Sequence, residues 1–172
     1  MSASLKDCVR EIPDFPQPGI SYKDITTLLQ NGQALKQALD VMLELFKSEQ
    51  IDVVVGIESR GFILGAPMAV ELGCGFVPVR KPGKLPAAIF RQEYSLEYGS
   101  DAVEIHQDAI ASGQRVLVVD DVLATGGTMQ ATCQLLERLE ARIIGLDFLI
   151  ELTFLQGRRH LEKYRVESVI QY

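Results

Sequence analysis

Cysteine and histidine are scarce in this chain, three of the first and two of the second in 172 residues. Cys8, Cys74 and Cys133 stand far apart without metal-ligand spacing. That spacing argues against a disulfide framework or a zinc site and leaves reduced thiols of a cytoplasmic protein as the expectation. Positive charge is also in deficit, 17 Lys and Arg against 23 Asp and Glu, a net charge of −6. Such a balance argues against a general nucleic-acid binder, and a polyanionic ligand would have to be received by a local basic cluster. Also missing are an apolar run of roughly eighteen residues and a signal-peptide layout at the start, so no membrane association is expected. Repeats, low-complexity stretches and dividing linkers are lacking as well, and residues 1–172 are expected to form one domain with a sizeable core.

What the chain does have is concentrated in Arg115 to Thr128, R-V-L-V-V-D-D-V-L-A-T-G-G-T. The apolar run Val116–Val119 fits a strand buried on both faces of a parallel sheet. Two carboxylates follow, Asp120 and Asp121, and then a small-residue loop, Ala124, Thr125, Gly126, Gly127 and Thr128, that opens a helical pattern. In open α/β sheets ligands sit past the carboxyl ends of strands, where this order puts acids and loop alike. Glycines let backbone approach a ligand, and a helix start offers free N–H groups, so the loop reads as a phosphate cradle. Adjacent carboxylates would repel a phosphate unless they serve something else. Sugar hydroxyls donate well to carboxylate, and a divalent cation would offset the charge. A sugar bearing a 5-phosphate and free cis hydroxyls satisfies both halves.

Elsewhere the chain alternates strands and helices. A short helix is expected from about Ala3 to Ile12, stopped by Pro13, and then a Pro-Gly-rich arm carrying Tyr22 between polar groups. Gln33 to Lys47 has the spacing of an amphipathic helix, and Ile51–Ile57 that of a buried strand. Arg60 follows it at a second strand-to-loop junction, where its forked guanidinium suits pyrophosphate, with a surface ion pair as the alternative. A helix is expected over Phe62–Leu72, kinked by Pro67 or beginning there. After a strand at Gly75–Val79, Arg80, Lys81 and Lys84 form the basic cluster an acidic chain needs for a polyanion. Short strands at Tyr94–Tyr98 and Ala102–Ile105, around a turn at Gly99-Ser100, suggest a flexible hairpin lid that would exclude water from a reactive centre. Further helices are expected from near Gly127 and over Phe154–Tyr164, the latter with a solvated basic run, and strands at Ile143–Ile150 and Val166–Ile170. The fold class is therefore α/β, a mainly parallel central sheet with helices on both faces, plus an N-terminal hood and a lid hairpin.

The run of apolar residues, two acids and T-G-G-T resembles the ribose-phosphate signature of the type I phosphoribosyltransferases. Phe15 to Ile25, F-P-Q-P-G-I-S-Y-K-D-I, resembles the base-binding hood of the adenine phosphoribosyltransferases, and Y-S-L-E-Y-G resembles their lid. The resemblance implies phosphoribosyl pyrophosphate as one substrate. Asp120 and Asp121 would hold the ribose hydroxyls, and residues 124–128 the 5-phosphate. Glu58, Ser59, Arg60, Lys81 and Lys84 would hold the pyrophosphate, with a non-proline cis peptide at Glu58-Ser59. Tyr22 would stack on adenine, with the main chain at Ser21 and Lys23 on its edge, and Glu97 of the lid would exchange the proton. It further implies Mg²⁺ carried mainly on the substrate, with no direct protein ligand assigned, and a homodimer. Residues 1–32 would then be the hood and 81–105 the basic loop and lid.

One substitution narrows the base. Relatives acting on 6-oxopurines carry an aspartate in the phosphate loop and then T-G-K-T, whereas this chain has Ala124 and T-G-G-T. Adenine presents an amino donor and an N1 acceptor that backbone groups can answer. The expected products are AMP and pyrophosphate, in purine salvage. Another nucleobase, or a regulator that only senses phosphoribosyl pyrophosphate, are the alternatives.

Overall fold

The computed structural model describes residues 4–95 and 100–172. Leu96–Gly99, and with them Glu97 and part of the expected lid turn, lie outside the described residues.

Five parallel strands build the central sheet: β3 (Val53–Ile57), β4 (Gly75–Val79), β7 (Arg115–Leu123), β8 (Arg142–Glu151) and β9 (Val166–Gln171). Their spatial order is β4-β3-β7-β8-β9. The chain grows outward in one direction from β3 to β4 and in the other from β7 to β9, so the order reverses between β3 and β7. Ligands of open α/β sheets bind at such a switch point. Val116–Val119 of β7 are all fully buried, as a central strand covered on both faces requires. Pro78, which cannot donate to a ladder, sits on the edge strand β4.

Each face has its own core. On one, α1 (Thr26–Leu29), α2 (Gly32–Leu45) and α3 (Arg60–Leu72) bury Leu28, Met42 and Leu64 against Leu117, Val119 and Leu149. On the other, α4 (Gly127–Arg138) and a hairpin of β5 (Ile89–Ser95) and β6 (Ser100–His106) bury Leu135, Val103 and Ile105 against Val116, Val118 and Phe148. Helices on both faces were expected. The first hairpin strand begins earlier than expected, at Ile89, because Phe90 packs on the same core and the pairing runs back as far as His106.

Local chemistry sets the ends. The Asn31 carboxamide oxygen accepts from the Gln33 and Ala34 amides (3.1 and 3.2 Å) and starts α2. Gly73, left-handed at φ 66°, stops α3, which runs unbroken through Pro67. Bare backbone at Gly56 and Gly65 makes room for the Phe76 ring, which lies 2.7 and 3.0 Å from where their Cβ atoms would be.

Two expected helices are corrected. Of the helix expected over Ala3–Ile12, the described residues from Ser4 on form instead a single 3₁₀ turn, Leu5–Cys8, followed by β1 (Arg10–Ile12), which pairs with β2 (Tyr22–Asp24). A capping box between Ser4 and Asp7 closes only that turn, and the Arg10–Asp24 ion pair at 2.6 Å draws the next residues into a ladder. Leu5 and Val9 are both buried although no α-helix joins them. Phe154–Tyr164 is replaced by two 3₁₀ turns, Thr153–Leu155 and Gly157–His160, broken at Gln156 with φ 55°. The basic run there is not simply solvated, since Arg158 forks onto Glu151 with two 2.7 Å hydrogen bonds.

Candidate active site

A cavity of about 500 Å³ opens at the β3/β7 switch point. Asp120 and Asp121 form its floor. Both belong to β7, whose pairing with β8 continues to Leu123, whereas its pairing with β3 ends at Val119. The two acids therefore stand where one neighbouring strand has stopped. Gly61, just inside α3, lets the helix close on them, since a Cβ there would lie 2.8 Å from the Val119 carbonyl and 3.0 Å from Asp120 Oδ1.

Burial raises the Asp120 carboxyl well above the usual carboxylate range, and the adjacent Asp121 charge adds to it. Burial raises Asp121 as well, opposed by the Arg60 guanidinium, whose Nε lies 2.7 Å from Asp121 Oδ2. Two acids in this state readily accept from hydroxyls and would gain from a nearby cation.

Past β7 the chain turns through Ala124–Gly126 into α4. Gly126 occupies the N-cap position at φ 85°, a left-handed value that favours glycine, and supplies no side-chain cap. The first-turn amides of α4 are left for an anion. Ala124 and Thr128 line the cavity, with Thr125, Gly126 and Gly127 the loop between them. Gly157 braces that loop. A Cβ on it would sit 2.3 Å from the Ala124 carbonyl oxygen, and one on Gly126 would sit 2.5 Å from the Gly157 carbonyl oxygen.

Glu58, Ser59 and Arg60 form the opposite wall, with Glu58-Ser59 cis. Arg60 also donates from Nη1 to the Tyr22 hydroxyl, so one guanidinium ties β7, α3 and the hood together. Arg60 does form an ion pair, but with buried Asp121 inside the cavity wall rather than at the surface. Ser21, Tyr22 and Lys23 line the hood side, where the Phe15 and Tyr22 rings meet edge to face at 5.3 Å. Asp24 anchors this stretch through the Thr26 amide (2.9 Å), the Thr26 hydroxyl (2.8 Å) and Arg10, which together hold its carboxyl at about 2.

The three cations of the basic loop separate. Lys81 lines the cavity. Arg80 and Lys84 instead turn to Glu58, at 3.2 and 2.5 Å. Burial pushes the Glu58 carboxyl up, but Lys84, the Lys81 amide and Arg80 outweigh it and hold it at about 2.

Several contributors escaped the sequence reading. Ile20, Val122 and Leu152 add apolar lining, and Gly157 and Glu104 brace the two loops. Ile20 and Val122 lie inside the hood and signature stretches but carry no polar group to mark them, and Leu152, Gly157 and Glu104 act through contacts between segments distant in sequence.

A family model described as phosphoribosyl transferase domain matches residues 24–171. The adenine phosphoribosyltransferase of Acaryochloris marina is 60% identical over 168 residues, covering 98% of this chain and 99% of that protein. That of Roseiflexus is 55% identical over 172 residues, the whole of both chains. Among solved structures, the adenine phosphoribosyltransferase of Thermoanaerobacter pseudethanolicus superposes with a TM-score of 0.95 at 49% identity, covering 98% of each chain. The Saccharomyces cerevisiae enzyme, solved with adenine and an iminoaltritol bisphosphate, gives a TM-score of 0.91 at 42% identity, covering 96% of each. With identity of this order along its whole length, the chain belongs to the adenine phosphoribosyltransferase family.

Proposed function

We propose that the cavity at the switch point carries out the family's reaction with the residues assembled around it. The chain transfers the 5-phosphoribosyl group of phosphoribosyl pyrophosphate to N9 of adenine. The bond from C1 to the pyrophosphate oxygen breaks, the C1–N9 bond forms, and N9 loses its proton, giving AMP and pyrophosphate. One observation carries the assignment of roles: two adjacent carboxylates face an uncapped glycine helix start across a cavity rimmed by Arg60 and Lys81.

Asp120 and Asp121 accept from the ribose 2- and 3-hydroxyls and fix the sugar, which turns an encounter into a positioned reaction. The amides of Thr125–Thr128 receive the 5-phosphate. Lys81 and the backbone at Glu58-Ser59 take the departing pyrophosphate, with Arg60 holding Asp121 and Tyr22 in place and Lys84 adding positive charge from its pair with Glu58. Stabilising that leaving charge is among the larger contributions such a site makes. Tyr22 stacks on adenine while the backbone at Ser21 and Lys23 meets its edge. The hard oxygen donors of Asp120 and Asp121 suit a Mg²⁺ ion carried on the substrate, which would neutralise charge on the leaving group. Glu97, on the segment 81–105 that we read as basic loop and lid, accepts the N9 proton.

We further infer a homodimer, supported by the exposed Ile63 and Val70 on α3. A cytoplasmic location is supported by the free Cys8, Cys74 and Cys133, and by the lack, among the described residues, of a helix long and apolar enough to cross a membrane.

The test is incubation with phosphoribosyl pyrophosphate, Mg²⁺ and each nucleobase in turn, with pyrophosphate release as the readout. Release with adenine is expected, and its absence there would overturn the reading. Run on Glu97→Gln, the same assay should show turnover lowered by about a hundred- to ten-thousand-fold, the usual worth of a general base. An unchanged rate would remove Glu97 from the mechanism.

A further inference from the structure

Lys81 is the second residue past β4, and its backbone is fixed before its side chain begins. Arg80 and Glu104 of β6 exchange backbone hydrogen bonds at 2.9 and 2.8 Å, bridging the loop to the hairpin. Glu104 Oε2 accepts from the Gly83 amide at 2.9 Å, and Glu58 Oε2 from the Lys81 amide at 3.0 Å. From that anchored backbone the Lys81 ammonium reaches both strands of the hairpin. It donates to the Tyr94 hydroxyl on β5 at 2.7 Å and pairs with the Asp101 carboxylate on β6. Tyr94 donates in turn to Asp101 Oδ2 at 3.0 Å, and the other carboxylate oxygen accepts from the Ala102 amide at 2.7 Å.

An ammonium has three donors. Two are engaged by Asp101 and Tyr94, which leaves one for the cavity that Lys81 lines. A lysine side chain otherwise samples many rotamers, and holding it in one geometry costs conformational entropy. Asp101 and Tyr94 bear that cost in advance. The Arg80 and Lys84 side chains turn to Glu58 instead, so among the loop's three cations Lys81 is the one whose charged group is tied to the hairpin.

We propose that Asp101 and Tyr94 are positioning residues for Lys81, holding its ammonium toward the pyrophosphate and coupling the hairpin strands to the leaving-group site. The proposal rests on the reading of Lys81 as a pyrophosphate ligand. Neither residue need touch the substrate. Both act through Lys81, so their removal weakens only what Lys81 does.

A double-mutant cycle in the full-length protein tests this, with KM for phosphoribosyl pyrophosphate and KM for adenine measured separately. Asp101→Asn should raise the first by about two- to 150-fold, the range for groups sharing one hydrogen-bond network, and leave the second unchanged. Tyr94→Phe should act in the same direction and more weakly. It decides the matter alone if Asp101→Asn does not fold. In a Lys81→Ala background Asp101→Asn should have no further effect, whereas Asp101→Glu in the parent should restore part of the loss. Equal rises in both KM values, or an Asp101 effect that persists without Lys81, would reduce the pair to hairpin structure and overturn the proposal. If Lys81→Ala itself leaves KM for phosphoribosyl pyrophosphate unchanged, the pyrophosphate role of Lys81 falls, and this inference with it.

Discussion

Gly157 has no side chain to offer chemistry, yet the phosphate loop leans on it. A methyl group at that position would meet the Ala124 carbonyl at 2.3 Å and Leu123 Cδ1 at 2.9 Å, and backbone can give way only by moving the loop. Gly157→Ala should therefore cost about 1–3 kcal/mol by overpacking. It should also raise KM for phosphoribosyl pyrophosphate while leaving KM for adenine nearly unchanged, as steady-state kinetics and thermal melts can check. Retained stability with unaltered kinetics would mean that the loop tolerates the shift. In sequence, Gly157 stands beside Arg158, Arg159 and His160 and reads as part of a solvated helix. Asp120 and Asp121 are legible by contrast, because a strand ending in acids before a glycine loop is a local pattern. The ion pair of Arg60 with Asp121 is not local, since 61 positions separate them in the chain and only the closing of α3 on β7 brings them together.

Among the elements, β8 carries the least expected residue. Asp147 is fully buried, with neither carboxylate oxygen hydrogen-bonded among the described residues. Burial raises its carboxyl to about 8 and the nearby Glu167 adds to the rise, outweighing the adjacent Phe148 amide and Arg165. Its folded value lies above the unfolded one, so the stability this group confers is full below about pH 4 and is lost as pH rises through about 8. The loss is on the order of 5 kcal/mol at most. Asp147→Asn should melt at nearly the same temperature from about pH 4 to about pH 8, while the parent declines across that window. A parent curve as flat as the variant's would show that Asp147 ionises without cost. Helices α2, α3 and α4 and the sheet strands are readable from periodicity, because each presents a continuous apolar face. The N-terminal turn and the two 3₁₀ turns near residue 157 are not. There, apolar spacing is satisfied by pieces of different structure, and the Arg10–Asp24 and Arg158–Glu151 pairs override the helical alternative.

For the molecule as a whole, the contrast is between an acidic surface and a polyanionic substrate. Net charge is −6, and Arg60, Lys81 and the free amides of α4 converge on one cavity. Binding there should stabilise the whole fold by mass action, by about 2.7 kcal/mol at a hundred times Kd. In a chain of this length that is a rise of several degrees in melting temperature. Phosphoribosyl pyrophosphate with Mg²⁺ should produce the rise in differential scanning fluorimetry, and Asp121→Asn should reduce it. An undiminished shift in that variant would separate Asp121 from sugar binding.

Read alone, the sequence determined the class of fold, the order of the main strands and helices and the strand-acids-loop signature, while its resemblance to the adenine phosphoribosyltransferases at Ala124 and the hood implied the base. All of these reside in short contiguous patterns whose spacing is itself the physical constraint. Only the tertiary structure decided which cation of the basic loop faces the cavity, what braces the phosphate loop, and how the hairpin grips Lys81. Those outcomes depend on distances between segments far apart in the chain, and they are set when α3 closes on β7, Gly157 meets Gly126, and β6 brings Asp101 to the end of β4.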